Sequence, residues 1–279
     1  MWTNENRGRY DRSRLRYPSD VTDEEWAFIG PLIPPAKRGG NKRTVVERQV
    51  VNGLMYILST GCQWAQLPKN LPPRSTVNDY FRRWDDDGTL DRIHHALYVR
   101  CREQAEREAS PTAAIIDSQS VKSAEKGGSR FDPAGFDAGK KIKGKKRHVL
   151  VDTQGLLLCA IVHAADVQDR DGGVLLMCSL FGLFPFLLKL YADSGYQGPK
   201  FQHGLKRVCG QINVEIVKRS DIRKFVVLPK RWIVERTIGW LNRCRRLAKD
   251  WECLNRNGLA FLRWASIRLM VRKLCQNTL

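Results

Sequence analysis

Long apolar runs, paired cysteines, histidines and acidic residues are all scarce in this 279-residue sequence, and each shortage excludes something. No apolar stretch approaches the roughly 18 residues that a membrane-spanning helix needs. The longest, Leu180 to Leu188, is interrupted by Gly182 and Pro185 and suits a loop running into a strand. The N-terminus has no basic-then-apolar leader pattern, so a soluble, cytoplasmic chain is expected. Eight cysteines, at 62, 101, 159, 178, 209, 244, 253 and 275, form no C-x2-C or C-x4-C pair. That spacing argues against structural zinc and against a disulfide framework, and reduced core thiols are expected. The five histidines make no H-E-x-x-H helix face.

What is abundant is positive charge: 48 Lys and Arg against 29 Asp and Glu, a formal +19. Such an excess points to a polyanion as partner, either nucleic acid or an acidic membrane surface. The membrane is disfavoured, because the basic residues punctuate an α/β pattern instead of lining one amphipathic helix. The charge is uneven. Residues 1–111 carry +3, residues 112–210 carry +5 and residues 211–279 carry +11. Lys140, Lys141, Lys143, Lys145, Lys146 and Arg147 crowd around Gly144 and are expected to form a basic, DNA-contacting loop.

The first third reads as helical. Thr22 with Glu25 three residues on is a capping-box pattern, and Gly30, Pro31, Pro34 and Pro35 end that helix early. A basic link from Lys37 to Arg43 follows, and then Val45, Val46, Val50, Leu54, Ile57 and Leu58 form a stripe of helical period. A second helix opens at Ser75. Helix, Gly-containing turn and helix are compatible with a helix-turn-helix that presents Ser75, Thr76, Asn78, Arg82 and Arg83 to DNA, and equally with a plain helical bundle. The polar segment Arg102–Pro111 marks a boundary, dividing the chain into 1–108 and 109–279.

Beyond it the pattern changes to strands: Ala113–Asp117, a hairpin of His148–Asp152 and Leu156–Val162 around Thr153-Gln-Gly155, Leu187–Asp193, and Val214–Val217. Helices are expected from Asp171 to Leu180, from Lys200 to Val208, and as one long helix from Pro229 onward. This element order is that of a ribonuclease H-like α/β fold, a mixed sheet flanked by helices.

Three acids stand out. Asp117 and Asp193 end strands, so neighbouring strands would set both carboxylates at one sheet edge, and Glu235 lies on the last long helix. Phosphodiester chemistry commonly uses two magnesium ions held by such carboxylates. At 100° per residue, Ile233, Thr237, Trp240, Cys244, Leu247 and Trp251 form one apolar stripe, with Glu235 on the opposite face among Arg231, Asn242 and Arg246. The helix alone leaves open a solvated Glu235 paired with Arg231 at i−4. Asp152 is expected to fix the hairpin turn, Asp169 and Asp171 to cap a helix, and Asp85 to Asp87 to be a solvated run. His148 could meet phosphate or begin a strand.

Five blocks taken together, Asp117-Ser-Gln-Ser-Val-Lys122, Gly135 to His148, Val151-Asp-Thr-Gln-Gly155, Ala192-Asp-Ser-Gly-Tyr196 and Arg231-Trp-Ile-Val-Glu-Arg236, are similar to the DDE transposases of bacterial insertion sequences. The chain most resembles the branch named after insertion sequence five, from about Tyr17 to the C-terminus. The resemblance implies that Asp117, Asp193 and Glu235 are the catalytic, metal-binding triad for two Mg2+ ions, with Mn2+ as a substitute. It further implies binding of the element's terminal inverted repeats, end cleavage and strand transfer into target double-stranded DNA by at least a homodimer, associated with the nucleoid. The family's Y-x2-R-x3-E-x6-K signature is matched at Arg231 and Glu235, but Leu228 and Asn242 replace its Tyr and Lys. Arg231, Arg245, Arg246 and Lys249 are therefore the alternative phosphate contacts. Two rivals remain open: a transposase-derived regulator without catalysis, and a nuclease or resolvase on the same fold.

Overall fold

A computed structural model describes residues 10–36, 43–124, 130–180, 182–217 and 231–276, together with Gly8 and Gly39. Most of the Lys37–Arg43 link and the expected helix start at Pro229 lie outside the described residues. The chain divides into two compact units, one of residues 1–105, 244–246 and 263–279, the other of residues 106–243 and 247–262.

The first unit is helical. Helix α1 (Asp23–Ile29) carries the expected capping box: the Thr22 hydroxyl accepts from the Glu25 amide, and the Glu25 carboxylate accepts from the Thr22 amide. Helix α2 (Glu47–Thr60) buries Val50, Val51, Leu54, Ile57 and Leu58 along one stripe. Helix α3 (Arg74–Asp86) buries Val77, Tyr80, Phe81 and Trp84, which recur every three to four residues as an amphipathic helix requires. The connection between α2 and α3, 61–73, is longer than the roughly 3–4-residue turn of a compact helix-turn-helix. Helix α4 (Thr89–Glu103) completes the N-terminal set. Residues 263–276, the end of helix α8 (Asn255–Gln276), pack with it. Trp84 meets Trp264 with ring centroids 5.9 Å apart, and buried His94 pairs with the Ser266 hydroxyl at 3.0 Å.

The second unit is a six-stranded mixed sheet. Strand β1 (Ala113–Lys122) pairs antiparallel with β3 (Ile142–Asp152) and parallel with β5 (Lys189–Ala192), which pairs parallel with β6 (Asn213–Ile216). On its other edge β3 takes the short β2 (Gly135–Asp137) and then β4 (Leu157–Ala164). Helix α5 (Asp169–Cys178) packs on β3, β4 and α6 (Pro199–Val208), while α7 (Arg231–Leu241) packs on β1 and β3. An N-terminal helical region followed by this sheet and its helices is the expected ribonuclease H-like α/β architecture.

Three local expectations need correction. The first strand does not end at Asp117 but continues to Lys122, because β3 pairs with it along nine successive residues from Asp152 to Gly144. The basic stretch is not a loop beyond Lys141, because Ile142 to Arg147 form the first half of β3. Gly144 is required there: a Cβ would lie 2.0 Å from the Val121 carbonyl oxygen, so only glycine lets the strands approach. The last long helix is broken at Leu241. Cys244 and Arg246 are both buried, yet they would lie 200° apart on one continuous helix, so the chain has to turn to enclose both. Trp240 and Trp251, placed on the apolar stripe by counting, are instead 36% and 37% exposed.

Candidate active site

Alternation along β1 assigns its two faces. Ser118 and its cross-strand partner His148 point to α5, where they meet Asp169 and Gly172. Asp117, one residue earlier, points the other way, toward α7. Asp193 directly follows β5. Since Ile115 pairs with Tyr191 in the parallel β1–β5 ladder, extending both strands by two residues brings Asp117 level with Asp193. Helix α7 adds Glu235 one turn after Arg231.

Arg231 organises the acids. Its Nη2 is 3.4 Å from Asp193 Oδ2, and its Nε is 3.1 Å from Glu235 Oε1. The i−4 pair anticipated for Glu235 is therefore present, but the same guanidinium also ties Glu235 to Asp193. Asp117 is half-buried, and burial pushes its carboxyl up to about 6, with the Asp193 charge adding to the rise. The Ser118 amide, which donates to Asp117 Oδ1 at 2.7 Å, and the charges of Arg231 and Lys140 pull against that rise.

A second layer lies on the α5 side. Asp169 was expected to cap α5, but it falls inside the first turn, and Gln168 at the cap makes no side-chain capping bond, accepting instead from Arg170 Nη2 at 2.7 Å. Its Oδ1 accepts from the Ser118 hydroxyl at 2.9 Å and pairs with Lys146 Nζ at 3.1 Å. A Cβ on Gly195 would lie 3.0 Å from Asp193 Oδ1 and 3.1 Å from Asp169 Oδ2, so Asp169 borders the same acidic pocket. Nothing in local sequence marks this carboxylate, since its role depends on which strand α5 covers. Beneath it, His148 Nδ1 is 2.9 Å from the Tyr196 hydroxyl and its ring stacks on His163 at 4.9 Å. Burial drives His148 down to about 3, so it stays neutral and serves packing rather than phosphate contact. Gly172 makes room for it, because a Cβ would come within 2.1 Å of His148 Nε2.

The anticipated DNA-contacting residues are distributed unevenly. Lys140, Lys141 and Lys143 are exposed, although Lys140 Nζ also donates to the Ser118 carbonyl at 3.1 Å. Lys145, only 1% exposed, spends its ammonium on the Asp132 and Pro133 carbonyls. Lys146 Nζ is held by Asp169, Asp137 and the Val167 carbonyl. Arg147 donates to the Leu247 carbonyl at 2.7 Å. In the first unit, α3 presents Ser75, Arg82 and Arg83 to solvent, with Thr76 and Asn78 half-buried. Arg246 is buried and donates to the Cys62 carbonyl at 2.9 Å, whereas Arg245 and Lys249 are exposed. Asp152 does what the hairpin required, accepting from the Gln154 and Leu156 amides at 2.9 Å each. Asp85 is not simply solvated, since Arg263 reaches it at 3.4 Å.

Among the described residues no three His, Cys, Asp or Glu side chains are gathered closely enough to hold a metal ion alone. The pair Asp117 and Asp193 nevertheless suits Mg2+, which takes one or two carboxylates and completes its shell with waters and phosphate oxygens. Glu235 is turned to Arg231 instead. No described helix is long and apolar enough to cross a membrane.

Residues 108–270 match the family model described as a transposase DDE domain, and residues 21–94 match a putative transposase family of the IS4/5 type. Two proteins of Burkholderia cepacia are similar. One is the insertion element IS402 uncharacterized 16.2 kDa protein, 31% identical over 37% of this chain and 72% of its own length. The other is the putative transposase for insertion sequence element IS402, 30% identical over 49% of this chain and 64% of its own length. No solved structure matches the chain. With the DDE domain model spanning more than half of it, the chain belongs to the DDE transposases, of the IS4/5 type.

Proposed function

We propose that this transposase binds the terminal inverted repeats of its insertion sequence, cleaves at their ends and joins the freed 3′ ends to target DNA, with Asp117, Asp193 and Glu235 as its catalytic acids. The observation that carries this reading is Asp117 and Asp193 at one register level on parallel neighbours, with Arg231 bridging Asp193 to Glu235. Asp117 and Asp193 would hold Mg2+ or Mn2+, and Glu235 would join them once Arg231 turns to a phosphate. The bound ions supply an activated water or 3′-hydroxyl and neutralise charge on the phosphate. The protein's own part is to keep the two aspartates aligned through the β1–β5 ladder, and to shield their mutual repulsion with Arg231 until DNA arrives. Ser118 and Lys146 hold Asp169 back as a second acidic wall.

Residues 1–108 would read the repeat ends through α3, and residues 109–279 would carry out the chemistry. Among the expected DNA contacts, exposed Arg82, Arg83, Lys140, Lys141, Lys143, Arg245 and Lys249 would grip phosphates, which position DNA without specifying sequence. Cutting paired ends calls for at least a dimer on the DNA. The test is excision from a plasmid carrying the element's ends, with purified protein and Mg2+. Wild-type protein should release the element, and Asp193→Asn should reduce release by at least a thousandfold. Full excision by Asp193→Asn would remove the assignment.

A further inference from the structure

The turn joining β2 to β3, residues 138–141, carries one cation back over β1. Asp137 pins the start of the turn: its Oδ1 accepts from the Lys140 amide at 3.0 Å, and its Oδ2 accepts from the Ser120 hydroxyl. Lys141 then leads into β3 with φ +54°, in the left-handed region that a lysine rarely adopts. The backbone so set lets Lys140 reach Ser118, where its Nζ donates to the carbonyl at 3.1 Å and lies 3.5 Å from the hydroxyl oxygen. Ser118 stands between two acids of the site. Its amide donates to Asp117 Oδ1 at 2.7 Å and its hydroxyl to Asp169 Oδ1 at 2.9 Å. The Lys140 charge is accordingly felt at Asp117.

Two other cations at these acids are already engaged. Arg231 is divided between Asp193 and Glu235, and Lys146 is enclosed by Asp169, Asp137 and the Val167 carbonyl. Lys140 is exposed, and among the described residues no carboxylate pairs with it. An ammonium has three donors, and its bond to the Ser118 carbonyl leaves two for a substrate. The fold does not depend on this ammonium, because Asp137 holds the turn through the main chain. A compact point charge on a flexible stem, at the rim of an acidic pocket, suits a phosphate oxygen. We propose that Lys140 is a catalytic residue whose ammonium hydrogen-bonds a non-bridging oxygen of the phosphate cut at the Asp117–Asp193–Glu235 centre. It offsets the negative charge that three carboxylates and the phosphate bring together, and it transfers no proton. This role rests on the transposase reading above, and it assigns Lys140 to one phosphate instead of a general grip on the backbone.

The probe is an uncut duplex spanning one end of the element, with either its native phosphate or a single neutral methylphosphonate at the position to be cut. Each is titrated against the full-length protein in Ca2+, which fills oxygen sites with a looser geometry than Mg2+. Lys140→Met should weaken binding of the native duplex about tenfold and leave binding of the methylphosphonate duplex unchanged, because both changes remove the same contact. Lys141→Gln should weaken both duplexes alike. Lys140→Arg should restore most of the native affinity, and Lys140→Met should melt at the wild-type temperature. In Mg2+ with saturating native duplex, single-turnover cleavage by Lys140→Met should fall about a hundredfold, and Lys140→Arg should recover most of it. Equal weakening of the two duplexes by Lys140→Met, or native affinity and cleavage left unchanged, would overturn the role of Lys140 alone. Failure of wild-type protein to bind either duplex would overturn the transposase reading and this role together.

Discussion

Asp117 carries a charge that the fold resists. Burial, and then Asp193, lift its carboxyl from 3.8 to about 6. A raised folded-state value means that the stabilising contribution is complete below about pH 4 and is lost as pH rises through 6. Asp117→Asn should therefore stabilise the protein at pH 7.5, on the order of 1–3 kcal/mol, with the gain vanishing at pH 4. Thermal melting across that pH range checks this. Mg2+ should raise the melting temperature of the wild type at pH 7.5 and leave Asp117→Asn unmoved. Glu25 shows the opposite sign. Burial raises its carboxyl, but Arg12 at 2.8 Å, the Thr22 amide and Arg272 more than offset that and bring it below 4.5. Its stabilisation is present above pH 4.5 and is lost as pH falls through the lowered value. Glu25→Gln should cost about 3 kcal/mol at pH 7 and progressively less below pH 4.5, as read by urea unfolding.

Strand β3 shows where element-level reasoning from sequence stops. Six basic residues around Gly144 are indistinguishable, by composition, from a DNA-gripping loop. In the fold Lys145, Lys146 and Arg147 are structural cations, because carbonyls and carboxylates from 132–137, Val167, Asp169 and Leu247 converge on them from distant parts of the chain. Arg147→Met should therefore destabilise the protein by about 3 kcal/mol while leaving the salt dependence of DNA binding unchanged. Lys141→Gln should do the reverse, lowering the slope of log affinity against log salt by about 1 with no change in melting. The apolar strand runs, the capping box at Thr22 and the Asp152 turn were legible, since each depends on neighbours a few residues away. The break after Leu241 was not, because it is imposed by the burial of Cys244 and Arg246 rather than by a Gly or Pro. The same division holds at the site. Asp117 and Asp193 could be placed by their position in or after strands, whereas Asp169 joins them only through the packing of α5 on β3.

Across the whole chain, the +19 is less available to DNA than its size suggests. Part of it is consumed internally, by Arg246 at the Cys62 carbonyl as well as by the β3 cations and Arg231. Of the residues expected to contact DNA, Arg82 and Arg83 on α3, Lys140, Lys141 and Lys143, and Arg245 and Lys249 remain exposed. The proposed acids argue against a DNA-binding regulator without catalysis, whereas only the joining of ends separates a transposase from a nuclease of the same fold. The most direct measurement is strand transfer from pre-cut ends: duplexes bearing the element's terminal repeats with free 3′-hydroxyls, supercoiled target DNA and Mg2+. Wild-type protein should covalently join the ends to target, while Asp117→Asn, Asp193→Asn and Glu235→Gln should each bind the ends and join none. Hydrolysis without joining, or joining by the Asp117→Asn protein at the wild-type rate, would contradict the account.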